Sequence, residues 1–245
     1  MHKEIYLRRE MSKLAVLDQL LELYYQLNYH NHPVLQQRLA DVQAWQKQRM
    51  QNTHAKQFAE KQNILMAEYF LNRLYGGPDF DALAEQIARL CKYAHKAEKL
   101  IPDNAIKTGT AGIELAILAV QLDEQVAMRL LQDHHPHEAL TDEMMRQAYL
   151  KLDQGTLRLK QLDLLDQLGR ALDKYMRSFM VQAAFKMCKG AANKYHFEVM
   201  YDFMQDGFNA MKPLKSAEKF VSDFSALERQ IVARVHAGDP DPFKI

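Results

Sequence analysis

The chain has 245 residues, 48% of them apolar, with 32 Lys and Arg against 31 Asp and Glu; this is ample for a core without staples, and the interspersed signs disfavour nucleic-acid binding driven by bulk charge. Two cysteines, Cys91 and Cys188, lie outside any CxxC spacing, which excludes a disulfide framework and a cysteine zinc site, and both are expected as buried small hydrophobes. Nine glycines and seven prolines leave long stretches without a turn signal, and no run of alternating Val, Ile and Thr suggests a strand, so the expected fold is all-α.

Taken in chain order, Leu14, Leu17, Leu20, Leu21, Leu23, Tyr24 and Leu27 recur at helical spacing and predict a first helix from Ser12 to Leu27. NYHNHP breaks it at Pro33, and Val34, Leu35, Leu39, Val42 and Trp45 open a second face. Glutamine-rich sequence from Gln46 to Gln62 reads as an exposed continuation or as two helices meeting. AEYFLNRLYGGPDF, from Ala67 to Phe80, crowds aromatic residues onto one face and then supplies Gly76, Gly77 and Pro78, the punctuation of a helix C-terminus. Asp81 to Ile101 forms the next helix. The segment from Asp103 through Leu131 is apolar almost all round and belongs at the centre. DHHPHEALTDE reads as a loop, with Thr141 as the cap of the following helix. About thirty residues of helical pattern run from Leu157 to Cys188 and end at Gly190. Tyr195 to Met211 and Ala217 to Val235, the latter capped by Ser216, complete a multi-helix bundle of about seven to nine helices. No Gly/Ser/Pro linker and no repeat of 20–50 residues divides it, so 1–245 is expected as a single domain.

With the helices placed, YFLNRLYG at Tyr69 to Gly76 and the following Pro78-Asp79-Phe80 resemble the bacterial family named for its FFLEELY motif. LAVQLDEQV around Asp123, QLGRALDKYMR from Gln167 and FMQDGFNAMKPLKSAEKFVSDFSALE from Phe203 are similar to that family's later blocks, and together they span roughly Trp45 to the C-terminus. Tyr69, Asn72 and Arg73 stand where the motif has Phe, Glu and Glu, and the Arg-Asp pair usual after the motif is missing. The resemblance implies a helical cytoplasmic protein and carries over no catalytic residue.

Several clusters offer chemistry. The aromatic motif reads as a core helix end, with Tyr69 and Tyr75 as the candidates for a polar, ligand-facing edge. Arg170 and Asp173, three residues apart on a leucine-rich helix, are candidates for a partly buried ion pair at a binding site. No Glu or Asp is followed by His at i+3, which disfavours a di-iron bundle. His54, His95 and His196 are the lone histidines beside apolar faces that a haem would need. No GxSxG elbow and no phosphate-binding loop occurs. The methionine-rich second half suits an adaptable surface as well as a core. These readings lead to a non-enzymatic protein that associates with a protein partner or with itself. The alternative is a ligand- or cofactor-binding bundle, including a haem- or metal-dependent enzyme. No cofactor, no membrane insertion and no nucleic-acid partner is expected, and with no apolar h-region in MHKEIYLRREMSKL a cytoplasmic location is expected.

His134, His135 and His137 form the densest group of potential metal ligands. Neutral imidazoles suit zinc, but adjacent side chains converge poorly on one ion and Pro136 stiffens the loop. A solvated loop is the favoured reading, so calorimetric titration with zinc should give the same heats for the wild type and for the triple-alanine variant. Binding lost in that variant, and weakened below pH ~6 as the imidazoles protonate, would instead assign a metal site.

Overall fold

A computed structural model describes residues 14–76, 80–94, 103–176 and 178–244. The described residues form helices and no strand: α1 (Ala15–Tyr25), a 3-10 turn (Asn28–Asn31), α2 (Pro33–Thr53), α3 (Ala55–Ala59), α4 (Ile64–Tyr69) running into a π-helical turn (Phe70–Leu74), α5 (Phe80–Ala94), α6 (Asp103–Asp133), α7 (Asp142–Leu152), α8 (Gly155–Met176), α9 (Phe179–Met187), α10 (Lys189–Lys194), α11 (Glu198–Met211) and α12 (Ala217–His236).

These are more than the seven to nine helices expected, because continuous helical patterns are cut into shorter pieces. The glutamine-rich stretch breaks at His54, where φ −100° and ψ 16° leave the helical region. The pattern from Leu157 to Cys188 ends with α8 at Met176 and restarts at α9, where Ser178 Oγ accepts the Val181 N–H. Gly190 does not stop a helix but lies inside the short α10. Pro33 takes the first turn of α2, where its missing N–H is no loss. Thr141 and Ser216 cap α7 and α12 as expected, each accepting the N–H three residues on.

Helix α6 sits at the centre and touches α1, α2, α7 and α8. Leu122, Val126 and Leu130, spaced by four, are almost completely buried along it, which is why this segment needs apolar residues on most of its circumference. The longest pairing is α8 against α12. The main core gathers residues of α1, α2, α5, α6, α7 and α12. A second cluster joins Met66 of α4 to Ala210, Met211 and Phe220 of α11 and α12, and a third joins Met50, Leu71 and Phe224.

The aromatic motif seats the end of α4 in these smaller clusters. Leu71 is buried and Phe70 packs edge-on to Phe224, their ring centroids 4.9 Å apart. The C-terminus is not the simple stop the sequence suggested. The Tyr75 N–H donates to the Phe70 carbonyl five residues back (2.9 Å), so the last turn is π-helical. Gly76 follows at φ +53°, a left-handed conformation that glycine tolerates without strain. Gly77 and Pro78 lie outside the described residues. Cys91 is buried as expected, but Cys188, the residue that follows α9, is exposed.

Two loops are held by arginines, one buried and one partly exposed. Arg38, fully buried, donates to the carbonyls of His135 (2.7 Å), Pro136 (2.6 Å) and Glu138 (2.8 Å) and so clamps the histidine loop from beneath. Arg234 does the same for the C-terminal turn, through the carbonyls of Asp241 and Lys244.

Phe224 is the shared wall of this packing, with Phe58, Phe70 and His54 against it. Phe224→Ala should cost on the order of 3–5 kcal/mol by chemical denaturation, and half-buried Phe70→Ala distinctly less. Equal losses from the two variants would contradict this placement.

Candidate functional site

Beneath the aromatic motif the interior is unusually polar. Glu228 of α12 accepts two hydrogen bonds from Arg49 of α2 (2.5 and 2.8 Å) and one from His54 Nε2 (2.7 Å). An ionised carboxylate only accepts, so Nε2 carries the hydrogen. The His54 ring stacks on Phe224 and lies beside Phe58, with centroids at 4.2 and 5.5 Å. Gln46 accepts from Arg49 (3.0 and 3.2 Å) and donates to the Tyr149 hydroxyl (2.5 Å). Arg158 lies over the Tyr149 ring at 4.3 Å and donates to Gln154, which donates to Gln125. Alongside, the Tyr75 hydroxyl donates to Asp123 (2.5 Å), which is 2% exposed. The π-helical turn thus has a consequence: the phenol that follows it is delivered to Asp123, which α6 buries together with its neighbour Glu124.

The charges are tuned by this setting. Burial raises Glu228, but Arg49 and the bonds from His54 and Arg49 outweigh it and hold the carboxyl down to about 2. Burial also raises Asp123, and there it wins over Arg158, the Tyr75 hydrogen bond and Arg49. Tyr149 is pushed up to about 12, chiefly by burial, and Tyr75 well above the ordinary phenol value for the same reason. Two arginines face two carboxylates, so the cluster compensates itself. The cavity beside it, lined by Arg49, Tyr149, Arg158, Glu228, His236 and Phe243 among others, measures about 40 Å³. That is space for a few waters, far below the several hundred Å³ of a small-molecule pocket.

The other residues singled out in the sequence are scattered. Tyr69 donates to the Phe203 carbonyl (3.0 Å) and packs on Gly207, so its hydroxyl ties α4 to α11. Asp173 accepts from Ser216 Oγ and from the N–H groups of Ala217 (2.9 Å) and Glu218 (3.2 Å), an anion placed at the N-terminus of α12; Arg170 is exposed on α8. His134 lies 3.6 Å from Glu138, and the rings of His135 and His137 are 5.8 Å apart. Among the described residues no three His, Cys, Asp or Glu side chains are grouped as metal ligands would be. His196 is exposed, and His95 lies outside the described residues.

A second place stands out on the surface. The four most exposed large apolar side chains among the described residues all fall between 179 and 195: Met187 at 85%, Phe179 at 84%, Met180 at 79% and Tyr195 at 60%. The opposite side of α9 is seated, with Phe185 stacked on Tyr201 at 4.4 Å and against Phe208 at 4.8 Å.

A family model matches residues 26–242. The chain belongs to the family described as a domain of unknown function, DUF8198. The match spans the polar network, the aromatic motif and the exposed face of α9 alike. No curated protein matches the chain. No solved structure matches it either.

The two buried carboxylates should leave opposite marks on stability. Glu228, lowered in the fold to about 2 from 4.5, contributes stability above its unfolded value that is lost as pH falls from about 5 to about 2. Asp123, raised in the fold, weakens the fold as pH climbs past its ordinary value of 3.8. Glu228→Gln should flatten the acid limb and, by leaving Arg49 unpaired, cost on the order of 3 kcal/mol at neutral pH. Asp123→Asn keeps an acceptor for Tyr75 and should be neutral or stabilising there. Urea midpoints from pH 3 to 8 for the three proteins check both signs, and a neutral-pH loss for Asp123→Asn as large as that for Glu228→Gln would refute the assignment.

Proposed function

We propose that the chain works without catalysis of its own, by associating with another protein or with a second copy, and that the exposed face of α9 is where it does so. The observation that carries this reading is the concentration of the most exposed apolar side chains on a single seated helix. Isolated surface hydrophobes are ordinary, but Phe179, Met180 and Met187 all fall on one nine-residue helix. Methionine adapts to irregular partner surfaces, and aromatic and methionine side chains are enriched where interfaces form.

The interior supports the same reading. Its polar cluster is neutralised from within, and the adjoining cavity is too small for a cofactor, which weighs against the ligand-binding alternative. Among the described residues no helix is long and apolar enough to cross a membrane. The likeness to the FFLEELY-motif family, a bacterial source, a cytoplasmic location and a single domain over 1–245 form part of this proposal.

Met180→Glu combined with Met187→Glu tests it. Both side chains are exposed, so stability should change by no more than about 0.5 kcal/mol. The double variant, used as bait in the native cell, should lose the proteins retained by the wild type. Retention of the same proteins by both baits would rule out this face.

A further inference from the structure

We infer that the face of α9 receives an amphipathic helix of another protein, one whose apolar stripe is flanked by Asp and Glu; this rests on the association reading above. Phe179, Ala183 and Met187 lie at i, i+4 and i+8, and Met180 with Ala184 forms the adjoining row. Large side chains thus stand at the two ends of the face with two alanines between them. Eight residues of helix span about 12 Å, and a helix with side chains is about 10 Å across. A helix crossing over Ala183 and Ala184 fills that saddle and buries Phe179 and Met187 on either side of it.

Charge identifies the flanks. From Lys174 to Phe197 the sequence holds five Lys and Arg and no Asp or Glu, in a chain whose net charge is only +1, so the remainder carries −4. Lys174, Lys186, Lys189 and Lys194 are exposed, and none forms an ion pair with a carboxylate among the described residues. Lys151, Lys160, Lys219 and Lys244 each lie 2.6–3.2 Å from one, but Lys56, Lys61, Lys212 and Lys215 do not, so what sets the α9 lysines apart is the absence of any Asp or Glu from Lys174 to Phe197. Glu198 and Asp202 on α11 are the acids next along the chain, and Glu198 faces His196 at 3.7 Å. A partner with acidic flanks supplies what these lysines lack.

The other occupants fit less well. Two copies meeting through this face would set lysines against lysines. An anionic bilayer also attracts lysines, but membrane-surface helices carry Trp, Phe and Leu on a longer apolar face, whereas α9 spans nine residues and offers Met, Ala and one exposed Phe.

The test places the photo-crosslinker p-benzoylphenylalanine at exposed Met180 of the full chain in its native cell and identifies the cross-linked peptide. A synthetic peptide of that sequence is then titrated against the purified protein by fluorescence anisotropy. An acidic amphipathic helix from another protein is expected. Lys186→Glu with Lys189→Glu should weaken it by about tenfold or more at low salt, with the difference shrinking as salt rises. A cross-linked segment that is neutral, basic or non-helical, a cross-link joining two copies of this chain, or a charge reversal without effect would overturn the inference and leave association standing. No protein cross-link, with flotation on phosphatidylcholine vesicles only when they contain phosphatidylglycerol, would overturn both.

Discussion

The ion pair of Arg49 with Glu228 is the constraint around which the rest of the interior is arranged. Two charges taken out of water cost several kcal/mol each, and their attraction repays this only when the remaining hydrogen-bonding capacity is also filled. Here it is filled from several directions, by His54 on the carboxylate and by Gln46 on the guanidinium. Gln46 in turn reaches Tyr149, over which Arg158 lies. α2, α7, α8 and α12 must therefore meet at one register, since sliding any of them by a turn leaves a buried charge or amide without its partner. Asp123 and Tyr75 extend the demand to α6 and to the aromatic motif.

This gives the aromatic motif a physical role. Its apolar members pack as those of any helix end would, but its last residue is aimed by a turn with one residue more than an α-helix allows. Such a turn is favourable only where something on the far side rewards it, and Asp123 does. The crowded aromatics mark the approach of a structural hydrogen bond into a charged core, with the exposed face of the protein elsewhere.

The polar interior and the α9 face contrast in how their charges are met. Inside, two cations answer two anions and the cavity between them is small. On the surface around α9, lysines stand beside exposed Phe and Met, and none of them pairs with a carboxylate among the described residues. Interactions already completed within the chain hold the fold together.

Periodicity alone determined the all-α class, the central place of the segment from Asp103 to Leu131, and the caps at Thr141 and Ser216, because burial on one helical face and satisfaction of the first N–H groups are local requirements written at fixed spacings. It also drew attention to Tyr75, through its place at a helix end. It could not reveal Asp123 as that tyrosine's partner, nor Arg49, Arg158 and Glu228 as a cluster, because these residues are separated by 26 to 179 positions and each reads singly as an ordinary surface charge. Arg38 escaped notice for the same reason: three carbonyls of a distant loop are acceptors that no side-chain pattern announces. The helical pattern from Leu157 to Cys188 likewise gave no sign that its two halves face different surroundings. Only the tertiary structure decided that Leu162 is buried while Phe179, Met180 and Met187 face outward, since apolar periodicity states which residues share a face and not whether anything covers it.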